Sequence, residues 1–200
     1  MKEKAIEFLK FIFFLLFLPL IVNGTIAFID QLDTLPQNLR HVFLQGILIY
    51  LIFYLFIYEF EPVYQYGQNL VMGIFRFFAP LVRVAPFVLP IFSILFLILF
   101  YFSSVFLKSE IIRGTFMFLV SLTLTMHMVF TSKSLRGQDS NAVKPNYLFA
   151  FSLIYVVNIF ILSLMLDLIF PEFSFYAIFK FATQRTGQIY GTIFRQLFVP

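Results

Sequence analysis

The sequence predicts an all-α, polytopic transmembrane helical bundle of about five spans, with one or two interfacial amphipathic helices. Three observations carry that prediction. Of 200 residues, 61% are hydrophobic and only 12% are charged, and the mean hydropathy is +0.94. A soluble domain is about 45–50% apolar and about 25% charged, so this chain lacks the polar groups to cover a water-facing surface. The apolar residues also gather into uncharged runs close to the roughly 20 residues that cross a hydrocarbon core about 30 Å thick. Finally, two other apolar segments confine their polar residues to one face of a helix. Soluble enzyme, nucleic-acid binder and disordered chain are excluded.

The first run, 11–29, follows a basic leader with Lys2, Lys4 and Lys10. Leader and run together resemble a signal peptide, with Thr25-Ile26-Ala27 as a small-residue cleavage site, and the segment is read as a retained signal-anchor helix. Asn23-Gly24-Thr25 matches a glycosylation sequon but falls within or beside the span, where a transferase has poor access. The second run, 42–58, comes after a polar link containing Asp30, Asp33, Arg40 and His41. The third is 84–107. The fourth, 114–132, follows Arg113. A polar stretch over 131–146 reads as a flexible loop, and the fifth run, 147–166, ends near Asp167 with Pro171 as a stop. The whole chain, 1–200, reads as a single membrane domain.

The amphipathic segments are 62–83 and 173–198. In the first, Gln65, Gln68, Asn69, Arg76 and Arg83 share one sector, opposite Val63, Leu70, Ile74 and Phe77. In the second, Lys180, Gln184, Gln188 and Arg195 oppose Ile178, Phe179, Ala182, Ile189, Ile193 and Leu197. Such a pattern suits a helix lying in the interface; the alternative is packing against a neighbouring span. Arg76, Arg83, Lys180, Arg185 and Arg195 are accordingly candidate contacts for lipid headgroups or other anions.

A charge at mid-bilayer costs about 2.5–3.5 kcal/mol, so each polar residue inside a run demands an account. Arg83 sits among Pro80, Pro86 and Pro90, which mark either a broken helix beside an anion site or a bend leading into the third span. His127, with Thr123 one turn earlier, is a candidate proton relay, haem ligand or interhelical hydrogen-bonding group. Asn158 reads as interhelical glue and Asp167 as a carboxylate at the interface, also a candidate for proton transfer. Cysteine is absent and histidine occurs twice, so thiolate sites are excluded and no metal or cofactor is implied. No catalytic constellation can be assembled.

The function expected is a non-catalytic integral subunit that packs against and stabilises a larger membrane complex. The alternative is a small transporter or channel component moving an ion or anionic lipid through Arg83, His127 and Asp167. Expected partners are the lipid bilayer and other integral subunits, with no nucleic acid, since no dense basic stripe is present. The expected location is a bacterial or organellar inner membrane. The net charge of +4 and the basic leader place the N-terminus on the cytoplasmic or matrix side. On a five-span count the basic C-terminal segment then falls on the opposite side, against the same rule.

Overall fold

A computed structural model describes residues 2–56, 60–106, 110–138 and 145–198. Among them are eight helices: α1 (Lys2–Leu32), α2 (Gln37–Phe56), α3 (Glu61–Ile74), α4 (Ala79–Val88), α5 (Ile91–Phe106), α6 (Glu110–Gln138), α7 (Pro145–Asp167) and α8 (Phe175–Phe198). No strand occurs among the described residues. Four segments are long and apolar enough to cross a membrane: Lys4–Leu32, Gln37–Phe56, Ile111–Arg136 and Pro145–Asp167. The pair Ala79–Val88 and Ile91–Ser103, bent by 78°, is either a broken fifth span or a re-entrant loop. The protein is thus an all-α integral membrane protein of four to five spans.

The third run and the first amphipathic segment are partitioned differently from the sequence expectation. The segment 62–83 divides at Phe75–Phe78, and its distal end joins the start of the 84–107 run to form α4. Pro80 in the first turn of α4 presets the helical φ where no N–H partner is needed. Pro90 then stops α4, because it has no N–H to return to the carbonyl of Pro86. The polar stretch 131–146 also differs: α6 continues through it to Gln138, held by an ion pair of 2.6 Å between Lys133 and Glu61 and a 3.0 Å bond between the Thr131 and Tyr64 hydroxyls. Residues 139–144 of that stretch, and the ends of the second and third runs at 57–58 and 107, lie outside the described residues.

Contacts gather into two compact units, Met1–Leu35 with Leu135–Pro200, and Pro36–Ser134. In the first unit α1 and α7 run in the same direction. Lys10 Nζ donates to Asn146 Oδ1 at 2.5 Å, the Phe13 and Phe17 rings meet Phe149 at 6.0 and 6.2 Å, and the Thr25 and Tyr155 hydroxyls bond at 3.0 Å. Helix α8 runs the opposite way along α1. Ser174 N–H donates to Gln31 Oε1 at 2.9 Å, Asn23 Nδ2 donates to Thr186 Oγ1 at 3.3 Å, and the Tyr190 hydroxyl donates to the Leu16 carbonyl. Of the two placements open for this amphipathic segment, α8 is packed along a neighbouring span through Ile178, Ala182 and Thr186, while Phe179, Ile189, Ile193 and Leu197 of its apolar face stay exposed.

The second unit is centred on Tyr50, Tyr64, Met126 and Phe130, with Phe60, Phe92 and Leu122 packed around them. The Tyr64 and Phe130 rings stack at 5.1 Å, and Tyr54 meets Phe130 edge-on at 5.8 Å. Aromatic side chains thereby carry α3 onto α6, and each such pair adds about 0.5–1.5 kcal/mol beyond its buried area. At Gly46, α2 comes so close to α6 that an added Cβ would stand 1.9 Å from Ser121 Oγ and 2.6 Å from the Phe118 carbonyl oxygen.

Candidate functional site

The break between α4 and α5 is the feature of the second unit with chemical consequences. The Leu89 N–H closes the last turn of α4 on the Ala85 carbonyl at 2.8 Å, and the Ile91 N–H turns to the Leu89 carbonyl at 2.9 Å. Pro90 offers no N–H to the Pro86 carbonyl, and the turned Ile91 N–H leaves the Phe87 carbonyl without its helical donor. Unmet carbonyls are costly where no water is at hand, and neighbouring side chains commonly answer them. His127 of α6 does so here: it is buried and hydrogen-bonded to the backbone of Phe87. Its Nε2 has no hydrogen-bond partner, which assigns the bond to Nδ1.

His127 thus links α6 to the break, with a backbone carbonyl there as its partner. Thr123 is buried on the same face one turn earlier and bonds Ser93 of α5 at 2.9 Å. Next to them lies a cavity of about 10 Å³ whose lining includes Tyr64, Gln68, Pro86, Pro90, Thr123 and His127. The Tyr64 hydroxyl accepts from Gln68 Nε2 at 3.0 Å and pairs with Thr131. Burial pushes that hydroxyl above its ordinary pKa, and the hydrogen bonds to Thr131, Ser134 and Gln68 pull the other way.

Arg76 lies in the turn after α3 and Arg83 on α4, and both are exposed. Lys180, Arg185 and Arg195 are exposed along α8. The candidate anion contacts therefore form two sets, one in each unit. In the first unit Asn158 is buried and donates to the Ile154 carbonyl of its own helix at 2.9 Å. Asp167 is exposed and accepts from the Phe175 N–H at 3.2 Å, while Ser174 Oγ accepts from the Ala177 N–H at 3.2 Å. Together they cap α8, with the carboxylate at the positive end of the helix dipole. Asp167 is engaged at a helix start, and His127 belongs to the other unit. Among the described residues, no group of three or more His, Cys, Asp or Glu side chains is placed to hold a metal ion.

Sequence reasoning gave Asn23 no structural role beyond a poor sequon, yet it is buried and ties α1 to Thr186 of α8. An amide inside an uncharged apolar run was the available clue, because such a group needs an interhelical partner. Asn23→Ala is expected to loosen α8 by about 0.6 kcal/mol, the mean for interhelical hydrogen bonds in a membrane. A double-mutant cycle with Thr186→Ala, read by unfolding in detergent, checks this; a coupling energy of zero would deny the bond any role.

No protein-family model, curated protein or solved structure matches this chain.

Proposed function

We propose that the chain is a non-catalytic integral membrane subunit that packs against a larger membrane partner and receives it on α8. The seating of α8 carries this reading. Its bonds to Gln31, Asn23 and Leu16 run along the 11–29 apolar segment of α1. Arg185, next to the Thr186 that meets Asn23, stands at a level six residues, or about 9 Å, inside the Asp30 end of that segment. Lys180, Gln184 and Gln188 are exposed beside the same stretch. Facing hydrocarbon, Arg185 alone would cost about 2.5–3.5 kcal/mol; covered by a partner with acceptors, it does not.

The partner's chemistry follows from the charge on this face. Helix α8 holds Lys180, Arg185 and Arg195 and no Asp or Glu, so a second copy docked face to face would set cation against cation. The Arg185 guanidinium lies over the Phe181 ring at 5.1 Å, which leaves its N–H groups for an external acceptor. A different membrane subunit presenting carboxylate or amide groups fits. The direction of α8 also carries Arg195 toward the end of the unit where Lys10 lies. That arrangement supports an orientation with both basic ends on the cytoplasmic or matrix side.

The bent α4–α5 pair favours a second reading, a transporter or channel component moving an ion or anionic lipid, with Arg83 on α4 and His127 beside the break as the residues that serve it. One experiment separates the two. The protein is purified in mild detergent, co-purifying subunits are quantified, and the isolated chain is assayed in proteoliposomes. Partners at constant stoichiometry and no flux from the chain alone are expected. Autonomous flux that disappears on Arg83→Ala or His127→Ala would replace the subunit reading with the transporter. Arg185→Gln is expected to lower partner recovery at least tenfold, whereas Gly24→Ala, at an open position, leaves it unchanged.

A further inference from the structure

We propose that the cavity at the α4–α5 break is a binding site for one water molecule, which donates one proton to His127 Nε2 and the other to the Pro86 carbonyl. The argument begins with the acceptors. His127 spends its Nδ1–H on the Phe87 backbone, which leaves neutral Nε2 with a lone pair and no partner, fully enclosed. Pro86 keeps a carbonyl that Pro90 cannot answer. Two acceptors cannot bond each other, so a ligand that satisfies both must carry two donors.

Size then selects the ligand. The cavity's volume of about 10 Å³ matches the space one water needs, and a buried water is stable only where polar groups surround it. The hydroxyls nearby are already engaged. Thr123 donates to the Leu119 carbonyl at 2.7 Å while bonded to Ser93, and Tyr64 is held between Gln68 and Thr131. His127 lines the cavity, and Nε2 is the ring nitrogen left without a partner. The water takes the place of the N–H that proline withholds. It makes the 78° bend a hydrated joint tied to α6 rather than a dry kink.

The test uses the His41→Gln protein in lipid bilayers, which leaves His127 as the single histidine for nitrogen-15 labelling. Solid-state NMR is expected to find the proton on Nδ1, an Nε2 shift displaced toward that of a hydrogen-bond acceptor, and a water-to-Nε2 correlation. A proton on Nε2, or an unbonded Nε2 with no water correlation, would overturn the site. Pro90→Ala returns an N–H to the Pro86 carbonyl and is expected to reduce the water correlation at least tenfold. An unchanged correlation in that variant would refute the bridge to Pro86. None of these outcomes depends on whether a partner binds α8.

Discussion

Gly46→Leu is expected to abolish folding of the Pro36–Ser134 unit, seen as loss of a monodisperse peak in detergent and of cooperative unfolding. The β-carbon alone would intrude on Ser121 Oγ at 1.9 Å and, more seriously, on the Phe118 backbone carbonyl at 2.6 Å. A serine side chain can rotate away, but a helical carbonyl moves only with its helix. Helices α2 and α6 would have to separate, pulling Tyr50 away from Met126 and Phe130 in the aromatic core. Gly46→Ala tests the same contact more gently and is expected to cost about 1–3 kcal/mol, the usual penalty for overpacking. Gly24 and Gly114 serve as controls, since an added Cβ there meets nothing within 4 Å. At such helical positions alanine is intrinsically better than glycine by about 1 kcal/mol, so the controls should hold or gain stability. Equal tolerance at all three sites would mean that α2 and α6 do not pack in this way.

The second large effect concerns sidedness. Reporters fused at the N-terminus, at residue 140 and after Pro200 are expected to report one and the same compartment. The parallel course of α1 and α7 puts the starts of both helices at one level, as the bond between Lys10 and Asn146 requires. Helix α8 begins at the far end, where Ser174 bonds Gln31, and returns past Asn23 to Leu16. At about 1.5 Å per residue its 24 residues cover roughly 36 Å, enough to match the membrane depth of α1. A C-terminal reporter on the opposite side would mean that α8 lies flat on the membrane and would remove the depth argument for Arg185. The expected result also satisfies the charge rule that a five-span count breaks, because Arg195 joins the Lys2, Lys4 and Lys10 side.

Much of this fold is legible from composition because the bilayer is an unforgiving solvent. Uncharged runs near 20 residues predict α1, α2, α6 and α7, since only a helix satisfies its own backbone within one segment of that length. The break at Pro90 is half legible. Proline announces that a carbonyl is lost, but nothing in the local sequence says that His127, 37 residues on, supplies the answering N–H to the break. The same holds for the 131–146 stretch, whose polar composition suggests a loop. Lys133 and Thr131 find Glu61 and Tyr64, and those tertiary bonds extend α6 through it to Gln138.

Helix α8 shows where the division falls. The 3.6-residue pattern of 173–198 settles that the segment is an amphipathic helix and which side chains share each face, because both follow from the geometry of one chain. Which side of the helix meets a neighbour is a different quantity. Lipid and the side of α1 are about equally apolar, so hydrophobicity does not choose between them. The choice rests on a few directional bonds, from Asn23, Gln31 and Tyr190, whose partners lie more than 140 residues away in sequence. By itself, then, the sequence determined an all-α membrane chain, its apolar runs and the faces of its amphipathic helices. Only the tertiary structure decided that α8 is laid antiparallel along α1, with Thr186 at the level of Asn23, because long-range hydrogen bonds set that register.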